Sequence, residues 1–223
     1  MKIKRVNKVQ YPRHYTADNY LRKVRLHSEP YTSTIFDKEI VIFPNVMSPK
    51  YDRSPQMIIS MMPNQGGKKV LEIGSGTGIL SLFSLFQGAK NVVAVDINPA
   101  AVTNTFENFK KYGFTNCSSL FSNLFEKVNG TFDTIIFNAP FHGHKAKDEL
   151  ELGTYDFAYQ VLRRFFNGVC NYLKSEGEIL LGFANTGDNK LLKSLVKDNN
   201  LFIKNFQEYS NGDWVMYLYT LTK

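Results

Sequence analysis

The 223-residue sequence has only two cysteines, Cys117 and Cys170, and no internal repeat or low-complexity tract. Two lone cysteines without metal-like spacing cannot build a disulfide framework, so reduced thiols of a cytoplasmic protein are expected. No run of about 18 apolar residues is present, which excludes a transmembrane helix. The opening residues Met1-Lys2-Ile3-Lys4-Arg5 are not followed by the apolar stretch of a signal peptide. There is also no i,i+4 histidine pair and no Cys/His cluster. The nearest thing is His142 and His144, followed by Asp148, Glu149 and Glu151, and that segment reads as a loop, so no metal is expected.

Charge is present but unevenly placed. The chain carries a net +7, and residues 1–28 account for it, with Lys2, Lys4, Arg5, Lys8, Arg13, Arg22, Lys23 and Arg25 against Asp18 alone. The remainder is neutral. A basic arm of this kind can grip phosphates or serve only as a solvated face. Its tyrosines, Tyr11, Tyr15, Tyr20 and Tyr31, could stack on bases, but packing of the arm onto the body is the favoured reading.

Three divisions are expected: a basic helical arm over 1–32, a hairpin and covering loop over 33–55, and a ligand-binding domain over 56–223. Thr16 is placed as the cap of a helix running from Ala17 to Leu26. A β-hairpin is expected around Asp37-Lys38, then a proline-punctuated loop from Pro44 to Pro55, then a helix from Gln56 to Met62. From Lys69 onward, strands (69–74, 91–96, 117–121, 132–137, 177–184, 201–208, 214–221) alternate with helices (77–87, 99–112, 155–173, 188–199). Such alternation marks a doubly wound α/β sheet. Asn211-Gly212-Asp213 is a hairpin turn, which makes the last two strands antiparallel.

The centre of the pattern is Val70-Leu71-Glu72-Ile73-Gly74-Ser75-Gly76-Thr77-Gly78. A buried strand ends in an acid, a glycine-rich turn follows, and a helix begins. A pyrophosphate would be repelled by Glu72, whereas a ligand carrying an ammonium and a sulfonium would not. Twenty positions after Gly76, the strand Val92–Val95 ends at Asp96, followed by Ile97; a carboxylate there can accept hydrogen bonds from both ribose hydroxyls. These features resemble the class I S-adenosylmethionine (SAM) methyltransferases, with Val70–Gly78 as the first motif and Asp96 as the ribose acid. The resemblance, spanning roughly residues 35–223, implies a Rossmann-like seven-stranded sheet, mostly parallel with an antiparallel C-terminal hairpin. It also assigns Glu72, Gly74, Ser75, Gly76, Gly78, Asp96 and Ile97 to the cofactor. Asn123 falls where the family often has an acid facing the adenine amine. Tyr51 and Arg53, in the covering loop, could reach the amino-acid end of SAM or the substrate.

A second motif, Asn138-Ala139-Pro140-Phe141-His142, follows the strand Phe132–Phe137. Strand ends of such sheets border the ligand crevice. An amide or aryl amine is a poor nucleophile because its lone pair is delocalised. The Asn138 oxygen and a neighbouring carbonyl could hold its N–H protons and aim that lone pair. Phe141 would give a flat stacking face, Pro140 would restrict the loop, and His142 could act as a base. The motif is similar to the Asn-Pro-Pro-(Tyr/Phe) signature of amino-group methyltransferases acting on adenine N6, ribosomal-RNA guanine N2 and release-factor glutamine; Ala139 is the departure. The expected activity is SAM-dependent N-methylation of a planar amine or amide, with an rRNA or tRNA base slightly favoured. Small-molecule, peptide or protein-glutamine acceptors stay open, as does a SAM-consuming reaction that cyclises the aminobutyrate arm and releases methylthioadenosine. A monomer or homodimer, with no membrane partner, is expected.

Overall fold

The computed structural model describes residues 15–211 and 214–223. In chain order it contains helix α1 (Tyr15–Val24), strands β1 (Tyr31–Ile35) and β2 (Lys38–Ile42), α2 (Ser54–Met61), β3 (Lys69–Ile73), α3 (Ile79–Phe86), β4 (Asn91–Asp96), α4 (Pro99–Lys111) and β5 (Cys117–Phe121). These are followed by β6 (Phe132–Asn138), α5 (Gln160–Val169), β7 (Leu173–Ala184), α6 (Asn189–Asp198), β8 (Phe202–Asn211) and β9 (Trp214–Thr222). Seven strands form one sheet in the order β5-β4-β3-β6-β7-β9-β8. β9 is antiparallel to both of its neighbours and the other pairs are parallel. Among the described residues, no helix is long and apolar enough to cross a membrane.

The sheet is buried on both faces because its central strands carry apolar residues on both sides, not on one side alone. Leu71, Ile73, Ile135 and Phe137 face a core completed by Leu162, Phe165, Leu192 and Leu195 from α5 and α6. Val70 and Ile136 face the other core, with Ile58, Leu82 and Phe109 from α2, α3 and α4. Glu72 is the exception in β3: an acid that is 2% exposed.

Strand order places the site. β3 has β4 on one side and β6 on the other, so the connections leaving β3 and β6 diverge and open a crevice at their carboxyl ends. Ile73 is level with Phe137 in the ladder, which sets Gly74 beside Asn138. The loop after the hairpin β1–β2 supplies the roof. Asn104 and Asn108 of α4 accept from the N–H groups of Phe43 and Val41 at 2.8 and 2.9 Å, and both amides donate to the Val41 carbonyl. This polar clasp anchors the segment that continues as the loop over the crevice.

Several expected boundaries moved, each for a local reason. The 155–173 helix is shorter: Ala158 and Tyr159 take positive φ (53° and 57°), and Asp156 caps the true start by accepting from Val161 and Leu162 at 2.9 Å. The strand then begins at Leu173, paired with Phe132. The first hairpin turns at Phe36-Asp37, both left-handed, instead of Asp37-Lys38. α2 starts at Ser54, with Pro55 in its first turn. Helix α1 is already formed at Tyr15, so Thr16 lies within it and does not cap it. Gly212 and Asp213, the expected final turn, lie outside the described residues, as do Tyr11 and most of the basic arm.

Candidate active site

One cavity of about 330 Å³ sits at the carboxyl ends of β3 and β6. Its floor is Glu72, Ile73 and the turn Gly74-Ser75-Gly76-Thr77, one side is Asp96 and Ile97, and Asn138 and Pro140 stand opposite.

The turn is held from within. The N–H groups of Gly74 and Ser75 donate to the Val95 carbonyl at 2.8 and 3.1 Å, and that of Gly76 to Asp96 Oδ2 at 2.8 Å. Asp96 Oδ1 accepts from Asn98 at 2.8 Å. Gly78 has a different duty. It caps α3 in the left-handed region (φ 74°), and a Cβ there would lie 2.7 Å from Thr105 Cγ2. It is absent from the cavity wall and serves close packing of α3 on α4. Gly78→Ala is expected to cost about 2–4 kcal/mol, combining a left-handed alanine with overpacking. Urea unfolding should show a lower midpoint at unchanged slope.

The two acids are short of compensation. Glu72 Oε2 accepts from the Ser81 amide at 2.9 Å and from the Ser81 hydroxyl, so this carboxyl also caps the first turn of α3. Burial, opposed by those two bonds and reinforced by the nearby charge of Asp96, pushes the Glu72 carboxyl up to about 8. Burial raises Asp96 as well, against its backbone hydrogen bonds. Among the described residues neither acid has a basic partner. Buried acids left unpaired beside open space fit a ligand that brings its own positive charge and hydroxyl donors. Ile97, 40% exposed, offers an apolar surface on the same wall, and Asn123 lies further along it.

On the opposite wall, Asn138 Nδ2 donates to Ser54 Oγ at 2.9 Å, while Asn138 Oδ1 is buried with no hydrogen-bond partner among the described residues. Such an orphan acceptor needs a reason. Ala139 explains its own departure from proline: its N–H donates to the Gly182 carbonyl at 3.2 Å, extending the β6–β7 ladder by one residue. Gly182 is required beside it, because a Cβ there would come 3.0 Å from Asn138 Oδ1 and 2.5 Å from Ile58 Cδ1.

Four further expected residues stand elsewhere. The Tyr51 hydroxyl meets His27 Nε2 at 2.7 Å and the ring packs on the α1 cluster, off the cavity wall. Phe141 makes T-shaped contacts with His142 and Phe183, bridges the two cores, and is off the cavity wall. His142 is 7% exposed, with its backbone bonded to Thr154 and Asp156, and it too is off the wall. Arg53 is exposed at the start of α2, away from the wall.

Other residues line the cavity without having been singled out. Asn45, Val46, Met47, Ser48, Pro49 and Asp52 come from the proline-punctuated loop, whose covering position was legible. Glu149, weighed from sequence only as a metal ligand, lines the cavity with Leu150, Leu152 and Gly153 from the segment after His144, which had no periodicity to announce it. Helix α1 backs that segment: Ala17, Leu21 and Val24 pack on Leu150 and Tyr155, Tyr155 Oη donates to Asp18 at 2.8 Å, and Arg25 pairs with Asp148 at 2.8 Å. Packing is therefore what the described part of the arm does, and Arg25 is committed to it. Among the described residues no cluster of His, Cys, Asp or Glu could hold a metal.

Comparison with known proteins agrees with this geometry. The methyltransferase small domain family matches residues 38–208. A Methanocaldococcus jannaschii protein, named as a candidate protein N5-glutamine methyltransferase, is 34% identical over 70% of this chain and 82% of its own. The ribosomal protein L11 methyltransferase of Prochlorococcus marinus is 30% identical over 66% of this chain, which spans only 44% of that protein. A 16S rRNA N2 methyltransferase of T. thermophilus, solved in complex with AdoMet and guanosine, superposes with a TM-score of 0.64 at 21% identity, covering 86% of this chain and 50% of that one. Its likeness is one of fold. The chain belongs to the methyltransferase small domain family and is a SAM-dependent methyltransferase of class I architecture.

Proposed function

We propose that this enzyme methylates a planar amide or amino nitrogen held by Asn138, and the observation carrying this reading is that Asn138, a residue of the cavity wall, keeps a buried Oδ1 with no partner among the described residues. Glu72, the turn from Gly74 to Gly76, Asp96, Ile97 and Asn123 would hold SAM. Asp96 would accept from the ribose hydroxyls, and Glu72 would face the positively charged end. SAM supplies an electrophilic methyl group whose C–S bond breaks as the N–C bond forms, leaving S-adenosylhomocysteine and one proton from nitrogen. The work of the chain is orientation. An N–H paired to Asn138 Oδ1 turns the nitrogen lone pair toward the cofactor and stabilises the positive charge growing on it. Pro140 limits the freedom of the loop that carries Asn138.

Among acceptors, we favour a side-chain amide of a protein or peptide. The relative matched over most of its length is named for glutamine, and apart from the two acids given to SAM the cavity wall carries Asp52 and Glu149 against Arg164 alone. Those acids oppose a phosphodiester at close range. A nucleobase is the second reading, favoured by the basic residues 1–28. Methyl-labelled SAM offered with a glutamine-containing peptide and with an RNA oligonucleotide separates them. Labelling of the peptide, insensitive to salt, is expected; RNA labelling that falls steeply with ionic strength would reverse the choice. Methylthioadenosine formed from SAM alone would overturn N-methylation.

Glu72 predicts a pH effect with a definite sign. Its carboxyl, at about 8, is mostly protonated in the free protein at pH 7. A cationic ligand favours the ionised form, so binding expels the proton. SAM affinity should rise by at most about tenfold per pH unit below pH 8 and then level off. Calorimetry at pH 7 in buffers of different ionisation enthalpy should show close to one proton released per SAM bound. That release should vanish in Glu72→Gln; its persistence there would assign the proton to another group.

A further inference from the structure

We propose that Asp52 and Ser54 act as a relay that sets which end of the Asn138 amide is free, making them positioning residues for the N-methyl transfer proposed above, on which this inference rests. Ser54 opens α2 and is 1% exposed. Its hydroxyl donates to Asp52 Oδ2 at 2.9 Å, and its backbone N–H donates to Asp52 Oδ1 at 2.9 Å. A serine hydroxyl has one proton. With that proton given to the Asp52 carboxylate, Ser54 Oγ can only accept. The Asn138 group facing it must then be the NH₂, as observed at 2.9 Å, and the carbonyl oxygen is left as the unpartnered end.

The opposite polarity would be damaging. Were Asp52 unable to accept, the Ser54 proton could turn to Asn138, whose amide would rotate to meet it with Oδ1. The NH₂ would then face the acceptor nitrogen, donor against donor. An amide rotates readily about its last torsion, so steric packing alone discriminates poorly between two ends of nearly equal size. A charged acceptor two bonds of hydrogen bonding away does discriminate. This accounts for a carboxylate that reaches the cavity wall yet has no basic partner among the described residues. Capping of α2 accounts for the Ser54 N–H bond, but not for the hydroxyl bond or for the NH₂ beyond it.

The test reads the amide itself and needs no acceptor. The protein is labelled with ¹⁵N-asparagine, its Asn138 NH₂ pair is assigned by loss in Asn138→Ala, and contacts to Ser54 Hβ are measured with S-adenosylhomocysteine present. Wild type should show one signal set with those contacts. Asp52→Asn should lose them or split into two sets, while SAM affinity stays within about twofold. An unchanged Asn138 signal in Asp52→Asn would overturn the relay. So would a tenfold loss of SAM affinity in Asp52→Asn that Ser54→Ala does not share, because Asp52 would then touch the ligand directly. Should Asp52→Asn fail to fold, Ser54→Ala decides, since it leaves the backbone cap intact. Two sets are expected there, and a single set at the wild-type position would mean that packing against Gly182 and Ile58 holds the amide. Turnover is measured with whichever probe, glutamine peptide or RNA oligonucleotide, is methylated. Each single variant should lose ten- to hundredfold in kcat and the double variant no more; additive losses would break the relay. If neither probe is methylated while the Asn138 signals behave as stated, the functional reading fails and the relay stands.

Discussion

Asn138→Ala is expected to lower methyl transfer by roughly 10²–10³-fold, the usual effect of deleting one preorganised group that meets developing charge. Binding of SAM should be unchanged within about twofold. Asn138 sits on the wall opposite Asp96, and its oxygen has nothing to satisfy until an N–H arrives. The loss should therefore appear in kcat and kcat/KM together, as expected of an interaction made in the transition state. Steady-state kinetics with the peptide or RNA probe, paired with calorimetry for SAM, checks it. Turnover near wild type with intact SAM binding would remove Asn138 from the chemistry. The variant should fold: the ladder pairing of Asn138 with Gly182 is made by backbone, and alanine preserves it.

Asp96→Ala is expected to weaken SAM by on the order of 10²–10⁴-fold, through loss of two charge-assisted hydrogen bonds at about 1.5–3 kcal/mol each. The residue has a second task that separates it from a simple ligand contact. Gly76 and Asn98 both donate their N–H groups to it, so alanine leaves the turn without its anchor. Asp96→Asn keeps one acceptor oxygen for a backbone donor and should bind SAM better than the alanine variant while remaining weaker than wild type. Calorimetric affinities in that order support a dual role; equal affinities for the two variants would leave the ribose contact as its whole contribution. Removing the acid also removes the charge that helps raise Glu72, so the Glu72 carboxyl should fall below about 8 in Asp96→Ala. Because the two acids perturb one another, the proton released on SAM binding at pH 7 should decrease in this variant.

Much of this architecture was legible from residue order. Strand β3 and its turn carry period, acid and glycines within nine residues, and β4 ends on Asp96 where the pattern places it. Their information is local: a run buried on both faces, then positive φ, then a helix start. Asn138 was equally plain because a strand runs straight into it. Legibility failed where a side chain's direction depends on distant elements. Phe141 directly follows cavity-lining Pro140, yet its ring is drawn between the two cores by Phe183 and its neighbours. Tyr51 lies one residue from cavity-lining Asp52, and His27, brought close by the packing of α1, fixes it on the other side. The left-handed pair Ala158-Tyr159 gave no sign, since neither residue type favours that conformation.

By itself, the sequence determined a doubly wound sheet, a SAM-type turn with its two acids, and an asparagine at a strand end. Each of these depends on neighbours within a few residues or on one strand-to-strand spacing. Only the tertiary structure decided which side chains face the cavity, what covers it, and how the Asn138 amide is oriented. Those outcomes need Ser54, 84 positions away in the chain, to come within 2.9 Å. They also need Gly182 to leave room behind the amide, and α1 to press Leu150 into the wall. Contacts across such separations are made by folding, because a hydrogen bond has direction as well as partners, and direction is set in three dimensions.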